Sequence, residues 1–259
     1  MNTPALQFWP PTAAALPLVC DSPHSGSEYP ADFGSCQPMA ALRQAEDSHV
    51  EQLWCSAPAH GASLLAARFP RSYLDVNRAL DDLDAGLLDG PWPEPLRPGE
   101  RTRQGCGLIW RALGPGLPLY DRRLGVAEVQ GRIERCWRPY RAALDTAVQA
   151  ALHSYGEVWH LNLHSMPQQA GLAADVVLGD LDGRSCEPEF TALVERSLHA
   201  QGYRVVRNRP YKGGALVADT GQPALRRHSL QIEVRRALYM DEASRAPNAG
   251  FLPLQRAIE

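Results

Sequence analysis

The segment EVWHLNLHSM, Glu157 to Met166, indicates how the rest of the chain folds. Its apolar bulk, typical of a buried strand, comes from Val158, Leu161 and Leu163. Because successive strand side chains point to opposite sides, His160, Asn162 and His164 are predicted to share one face. The two histidines are about 13 Å apart along a strand, too far for both to bind one metal ion. His164 is the better candidate, because Ser165-Met166-Pro167 breaks the strand directly after it and open α/β sheets place their chemistry at the carboxyl ends of strands.

A second predicted strand, residues 16–20, is also followed by a histidine. It leads into the polar, Pro/Gly-broken loop DSPHSG, residues 21–26, which contains His24. His24 therefore lies just past a strand end, as His164 does. A satisfied core histidine is the alternative explanation for each of the two, and for a histidine taken alone it is the more common one.

Strand and helix patterns alternate along the chain. Further strands are predicted at 62–69, 73–76, 107–110, 174–178, 203–206 and 228–234. Helices are predicted at 39 to about 57, at 126–155 with a kink at Pro139, at 187–201 and at 252–259. Residues 81–118 carry many glycines and prolines without periodicity, which predicts an irregular excursion of the kind that often forms a lid. We expect one α/β domain over residues 1–259, with a mixed, mostly parallel sheet flanked by helices on both faces.

Composition narrows the classes of function. The 259 residues carry a formal net charge of -3, and no basic run is interleaved with aromatic residues, so nucleic-acid binding has little support. No segment reads as a signal peptide or a membrane span. Six scattered cysteines form neither a C-x-x-C knuckle nor a disulfide framework in so long a chain. These features predict a cytoplasmic protein that acts on a small molecule.

The residues able to do chemistry are dispersed along the chain. Short motifs such as H-E-x-x-H, G-x-S-x-G and the P-loop are absent. The remaining candidates are His24, Asp47, Arg78, His164 and Glu233. Two histidines and a carboxylate with one open position are the composition of a hydrolytic zinc centre, which lowers the pKa of water to about 7. A second carboxylate, such as Glu233, is then needed within hydrogen-bond reach to accept the proton of that water.

Six segments occur in an order that resembles the N-formylglutamate amidohydrolase (N-formylglutamate deformylase) family. They are DSPHSG at 21–26 followed by a tyrosine and a proline, EDSHVEQLW at 46–54, FPRSYLDVNR at 69–78, HLNLHS at 160–165, YKGG at 211–214 and QIEVRRALYMDE at 231–242. Each motif alone is weak, but their order is specific, and the resemblance extends from about Leu18 to Glu242. It implies a zinc-carboxypeptidase-like fold and hydrolysis of N-formyl-L-glutamate, or of a similar N-acyl acidic amino acid, with one zinc ion.

The same resemblance implies the metal ligands. His24 and His164 are two of them, and Asp47 is the expected third, with His49 and Glu28 as alternatives. Asp47 can also be explained as a helix cap or dipole partner. At position 48 this chain has a serine where the family has a large aromatic residue, which puts the shape of the pocket in question.

Roles toward substrate follow from the same resemblance. Asn77 and Arg78 are expected to hold a substrate carboxylate, for which a guanidinium offers a bidentate fork. Arg71 is a second arginine, either for the substrate or for polarising the amide carbonyl. Glu233 is expected to be the general base, with an ion pair to Arg235 or Arg236 as the alternative. Lys212, in the glycine-rich turn, is a further candidate for contact with substrate.

Two other functions remain open at this point. One is a non-catalytic small-molecule binding protein on the same fold, which would not need an acid beside the metal. The other is a zinc deacylase or peptidase for a different N-acyl amino acid. The sequence leaves the oligomeric state open.

Overall fold

The computed structural model describes residues 4–169, 171 and 173–259. Its strands are β1 Leu6–Trp9, β2 Leu18–Ser22, β3 Ser63–Ala67, β4 Ala112–Gly114, β5 Leu117–Pro118, β6 Val158–Met166, β7 Val176–Gly179, β8 Val205–Arg207 and β9 Arg227–Arg235. Its α-helices are α1 Met39–Leu42, α2 Val50–Leu53, α3 Glu100–Arg103, α4 Val126–Arg132, α5 Arg138–Tyr155, α6 Pro188–Ala200, α7 Ala215–Thr220 and α8 Phe251–Ala257. Neither β1 nor α7 was predicted from the sequence pattern. No helix in this described part of the chain is long and apolar enough to cross a membrane.

The main sheet has the strand order β1-β3-β2-β6-β9-β7-β8 within the described residues. Strand β2 runs parallel to both β3 and β6, and β6 runs parallel to β9. Strand β7 is antiparallel to β9, and β8 is parallel to β7. The prediction of a mixed, mostly parallel sheet flanked by helices is therefore confirmed.

Strand β6 lies in the middle of this sheet, where β9 pairs with it along its whole length and β2 pairs with residues 159–162. Leu161 and Leu163 on one face join an apolar core that includes Ile232 and Val234 of β9 and Leu53 of α2. Parallel sheets covered on both faces bury their central strands in this way. The opposite face of β6 carries the polar residues, so the alternation of side chains along the strand separates packing from chemistry.

Contacts between Cα atoms divide the chain into two compact units. The sheet unit consists of Phe8–Ser22, Asp47–Ala66 and Leu144–Glu259. The excursion unit consists of Pro23–Glu46, Ala67–Ala143 and the described part of Met1–Gln7. Each unit is assembled from separate stretches of sequence, and the expectation of a single domain over residues 1–259 stays a prediction.

The continuous helix predicted over residues 39–57 is wrong. α1 is followed by a short 3-10 turn, the backbone is extended at Glu46, and α2 begins only after His49, whose φ is 66°. Glu46 accepts a hydrogen bond from the Tyr29 hydroxyl at 2.8 Å, and Asp47 lies 3.1 Å from a histidine ring nitrogen. Polar side chains that bind distant partners compete with helical geometry, and here they interrupt an apolar pattern of helical period.

The strands predicted at 73–76 and 107–110 are also wrong. Tyr73 and Leu74 close turns onto the Pro70 carbonyl, with N···O distances of 3.0 and 3.4 Å. Segment 107–110 makes only an isolated antiparallel bridge between Cys106 and Trp110. Elsewhere the 81–118 excursion holds little regular structure beyond α3 and the β4-β5 pair. Its irregularity was correctly predicted, and its role as a lid stays a prediction.

The long helix predicted over 126–155 exists but is distorted near its middle. A π-helical turn, Ile133–Trp137, separates α4 from α5 and ends two residues before Pro139. Proline cannot donate the backbone hydrogen bond that a regular helix requires, and a π turn accommodates the missing bond. The expected distortion at Pro139 thus takes the form of a widened turn on its N-terminal side.

Arg132, at the end of α4, is fully buried in the excursion unit. Its guanidinium carbon lies 4.2 Å from the centre of the Tyr73 ring, and Phe33 and Tyr120 complete an aromatic cage. The guanidinium donates to the carbonyl oxygens of Phe33 and Tyr73, to the Tyr120 hydroxyl and to Glu128. A single side chain thereby holds three loop segments together.

Replacing Arg132 by methionine is expected to lower the free energy of unfolding by about 2–3 kcal/mol, because buried acceptors lose their donor. Urea denaturation measures the change. Arg138→Met is the matched control, since Arg138 pairs with Glu134 on the exposed side of the same helical segment. That surface pair is worth about 0–1 kcal/mol. Equal losses in the two variants would contradict the structural role assigned to the cage.

Candidate metal centre and active site

The polar face of β6 continues onto its neighbours. His160, Asn162 and His164 are all buried, as predicted for one face of the strand. In the parallel register with β9 they lie opposite Ser229, Gln231 and Glu233 respectively. Asp21 of β2 lies opposite Asn162 on the other side. The sheet unit therefore carries a continuous polar ladder across three strands, which ends toward the carboxyl edge.

His164 is held from both ring nitrogens. Its Nδ1 lies 3.1 Å from Asp47 Oδ2, and its Nε2 lies 2.7 Å from Asn162 Oδ1. The other Asp47 oxygen accepts a 2.9 Å hydrogen bond from Arg236, whose Nε also donates to Ser165. A buried carboxylate in this position is balanced by a guanidinium, and the imidazole orientation is defined on both sides.

His24 follows β2 by two residues, in the polar loop that the sequence predicted. Its Nε2 lies 2.7 Å from Asp75 Oδ1. The Asp75 carboxylate also accepts from Arg71, from the Trp110 indole at 3.3 Å and from the Asn77 backbone N–H at 2.9 Å. Burial alone would favour its neutral form, but the interactions with His24 and Arg71 hold the pKa of the Asp75 carboxyl well below its usual range. Asp75 is thus a charged anchor for the His24 ring.

His24, Asp47 and His164 are all buried, and each offers one atom that could bind a cation. These atoms lie within 4.8 Å of one another. Two imidazole nitrogens and one carboxylate oxygen match the three protein ligands of a catalytic zinc site that keeps a fourth position open. The Asp75 contact to His24 and the Asn162 contact to His164 are the carboxylate and amide partners that metal-bound histidines commonly have on their second nitrogen. By its chemistry, this group fits a divalent cation.

The two alternatives for the third ligand have other partners. The Glu28 side chain is 47% exposed and forms an ion pair with Arg68. His49 Nε2 lies 2.8 Å from the carbonyl oxygen of Arg245. Among the described residues, Asp47 is the acidic member of the group that could hold a cation.

Glu233 lies opposite His164 in the register of β6 and β9, which places their side chains on the same face of neighbouring strands. The residue is 8% exposed, and its Oε1 accepts a 3.0 Å hydrogen bond from Gln231. Of the arginines that the sequence offered as its ion-pair partners, Arg235 pairs with Asp175 and Arg236 with Asp47. Its role as general base stays a prediction.

The predicted substrate contacts differ in their surroundings. Arg71 is one-fifth exposed and stacks over the Trp110 ring at 5.1 Å, while Asn77 is buried. Arg78 is partly buried and donates through Nε to the Cys106 carbonyl oxygen at 3.1 Å. Lys212 is more than half exposed and pairs with Asp182 at 2.7 Å. Arg71, Asn77 and Arg78 share the Asp75 segment in the excursion unit, and the substrate roles of all four residues stay predictions.

Several residues of the site carried no assigned role in the sequence analysis. They are Asp21, Asp75, Trp110 and Asn162, while Arg236 was considered only as an ion-pair partner of Glu233 and pairs with Asp47 instead. Asn162 was placed on the polar face by strand alternation, and Asp75 lies within the FPRSYLDVNR motif, so both positions were visible in the sequence. Their partners were not, because the contacts join residues 35 to 189 positions apart.

Comparison with known proteins gives a consistent result. A family described as N-formylglutamate amidohydrolase matches residues 16–240. The chain is 31% identical to an N-formylglutamate deformylase of Pseudomonas putida over 238 residues, which cover 88% of this chain and 83% of the relative. A deformylase of the same name from Pseudomonas aeruginosa is also 31% identical, over 237 residues with the same coverage.

A crystal structure of N-formylglutamate amidohydrolase from Ralstonia eutropha JMP134 is similar over nearly the whole chain. The sequence identity is 55% and the TM-score 0.96, with 99% of this chain and 95% of the other covered. The resemblance inferred from six ordered motifs is thereby confirmed. The chain belongs to the N-formylglutamate amidohydrolase family.

Proposed function

We propose that this protein hydrolyses N-formyl-L-glutamate, with one water molecule, to formate and L-glutamate. The observation that carries the proposal is membership of the N-formylglutamate amidohydrolase family combined with a buried group of two histidines and an aspartate. The names of the 31% identical deformylases and of the 55% identical solved structure support the same substrate. A small N-acyl amino acid is accordingly the expected partner.

The proposal includes one divalent cation, zinc, held by His24, Asp47 and His164. Support comes from the donor set, since imidazole and carboxylate ligands with one position open are typical of hydrolytic zinc sites. A cation bound there would act as a Lewis acid toward the amide carbonyl and lower the pKa of water. His24 would ligate through Nδ1, because Asp75 lies against its Nε2. His164 would likewise ligate through Nδ1, the nitrogen that faces Asp47.

Glu233 supplies the proton transfers in this proposal. As a carboxylate it accepts a proton from the water molecule as the water oxygen attacks the formyl carbon. It then delivers that proton to the amide nitrogen as the carbon–nitrogen bond breaks, so formate and the free amine of glutamate leave. Gln231 donates to one carboxylate oxygen and keeps the side chain oriented. A binding protein would not need an acid at this position, so Glu233 favours the enzyme over the non-catalytic alternative.

Arginines and an amide recognise the substrate. Arg78 and Asn77 are proposed to hold a substrate carboxylate, for which a guanidinium supplies a pair of parallel donors. Arg71 is proposed to polarise the amide carbonyl, and its stacking on Trp110 keeps the guanidinium plane oriented. Lys212 is proposed as an outer contact. A cytoplasmic location is also proposed, supported by six free cysteines.

The test is an assay of formate and amino-acid release from matched substrates with zinc-loaded protein. N-formyl-L-glutamate is expected to be cleaved, and N-formyl-L-glutamine to be cleaved with kcat/KM at least about 10-fold lower, because a charge-assisted contact to the side-chain carboxylate is lost. N-acetyl-L-glutamate tests the acyl group in the same way. Absence of formate from N-formyl-L-glutamate with intact zinc would contradict the proposed reaction. Binding without turnover would favour the non-catalytic alternative.

A further inference from the structure

Three side chains on neighbouring strands form a chain of hydrogen bonds that ends at His164. Asp21 Oδ1 lies 2.7 Å from the amide nitrogen of Asn162, and Asn162 Oδ1 lies 2.7 Å from His164 Nε2. Asp21 and Asn162 are fully buried, and His164 is 2% exposed. Contacts of this length between buried groups are hydrogen bonds, so each of them needs one donor and one acceptor.

The direction of the chain follows from Asp21. Asn162 directs its NH2 group, which only donates, at Asp21 Oδ1, a carboxylate oxygen that accepts. The Asn162 carbonyl oxygen then faces His164. Because that oxygen also only accepts, His164 Nε2 must carry a hydrogen, and in the neutral ring the lone pair lies on Nδ1. Asp21 thereby determines the tautomer of a histidine two residues beyond its partner on β6.

The Asp21 end of this series of hydrogen bonds is anchored as well. Asp21 Oδ1 also lies 2.8 Å from His160 Nε2, and His160 Nδ1 lies 2.8 Å from the Ser229 hydroxyl. His160 and Ser229 are fully buried and occupy opposed positions on β6 and β9. Strand pairing therefore fixes His160 and Asn162, the two residues that contact Asp21 Oδ1. The Asp21 carboxylate has little freedom to rotate away from Asn162.

The consequence appears at the Nδ1 atom of His164. Its lone pair faces Asp47 Oδ2 across 3.1 Å. Two acceptors at that separation repel each other, so the contact that holds the ring on this side needs a positive charge, either a proton or a bound cation, between the two atoms. In a ring fixed as the Nε2–H tautomer, the Nδ1 lone pair is already oriented toward the cation site before a cation binds.

We infer that Asn162 is a positioning residue, which, held by Asp21, fixes the tautomer and ring orientation of His164 for cation binding. The inference rests on the proposed metal site. Partners of this kind typically change metal affinity by about 10- to 100-fold when they are removed. Asn162 touches neither the cation nor the substrate in this assignment.

The first test measures zinc affinity by competition with a chromophoric chelator. Asn162→Leu keeps the branched shape of the side chain and removes the hydrogen-bond relay from Asp21 to His164, and it is expected to weaken zinc binding about 10- to 100-fold. Leu161→Ala is the matched control, because Leu161 lies on the same strand but packs into the apolar core on the opposite face. The control is expected to keep wild-type affinity. Wild-type affinity in Asn162→Leu, or an equal loss in both variants, overturns the inference.

The second test reads the tautomer in the wild-type protein and needs no variant. Long-range ¹H–¹⁵N correlation spectra of ¹⁵N-histidine-labelled, zinc-loaded protein are expected to place the His164 hydrogen on Nε2. A hydrogen on Nδ1 overturns the inference. Failure of the wild type to bind zinc at all would contradict the proposed metal site instead, while the spectra of the metal-free protein would still report the direction of the hydrogen bonds.

A rescue experiment separates the relay from simple packing. Asn162→Asp alone places two carboxylates together and is expected to weaken zinc binding, because like charges repel in a buried site. Adding Asp21→Asn exchanges the two groups. The carboxylate at position 162 then accepts from His164 Nε2, and the amide at position 21 donates to that carboxylate. The double variant is expected to regain affinity. An affinity no better than that of Asn162→Asp alone counts against the relay.

Discussion

Glu233→Gln is expected to lower kcat by about 10²- to 10⁴-fold while zinc content stays at the wild-type level. Glutamine keeps the size of the side chain and can still bond to Gln231, but it cannot accept a proton from water. The fold explains why the defect should be confined to turnover. Position 233 is fixed by the β6-β9 register opposite His164, so the substituted side chain remains on the same face.

The measurement combines steady-state formate release with elemental analysis of the dialysed protein. Glu195→Gln is the matched control, because Glu195 lies on α6 and pairs with Arg207 at a more exposed position. The control is expected to retain full activity. Normal turnover in Glu233→Gln would remove Glu233 from the mechanism, and a loss of zinc would show that it acts through the metal site instead.

Removal of either histidine ligand is the second large effect. The wild type is expected to hold roughly one zinc ion per chain, because the donor set has the composition of a mononuclear catalytic site. His24→Ala and His164→Ala each delete one of three protein ligands, so both variants are expected to lose the zinc and the activity together. The two histidines lie far apart in the sequence, so the two variants test the proposed centre independently.

Zinc content is measured by mass spectrometry of elements after dialysis, and circular dichroism checks that each variant is folded. His153→Ala is the control, because His153 is exposed on α5 and should leave zinc content unchanged. A wild type that holds no divalent metal contradicts the assignment of the whole site. Full zinc content in one variant would remove only that histidine from the ligand set.

Local pattern was sufficient for the central strands. The alternation in EVWHLNLHSM predicted which side chains of β6 share a face, and the same alternation, applied to the strand predicted at 228–234, separates Glu233 from Ile232 and Val234. Both predictions rest on a period of two, which depends only on backbone geometry. The ends of β2 and β6, which lie within two residues of His24 and His164, were also visible, because turn residues follow each histidine in the sequence.

Long-range contacts account for what the pattern missed. The break in the predicted helix at 39–57 depends on Tyr29 and on His164, which lies 117 positions away from Asp47. The spacing of apolar residues within 39–57 contains no information about Tyr29 or His164, so it could not predict the break. The role of Asp75 is similar, since it depends on His24 and Trp110. Buried polar residues were therefore the hardest to interpret, because their conformations are determined by tertiary partners rather than by their neighbours in sequence.

The register between β6 and β9 also links correct folding to activity. A slip of one residue would turn each affected side chain to the wrong side, placing His160, Asn162 and His164 among hydrocarbon while leucines took their places. A chain misaligned in this way would lose both the packing of its core and the arrangement of its site residues. Inactive but well-folded molecules with a shifted strand should thus be rare, and the active fraction of a refolded preparation can serve as a direct count of correctly aligned molecules.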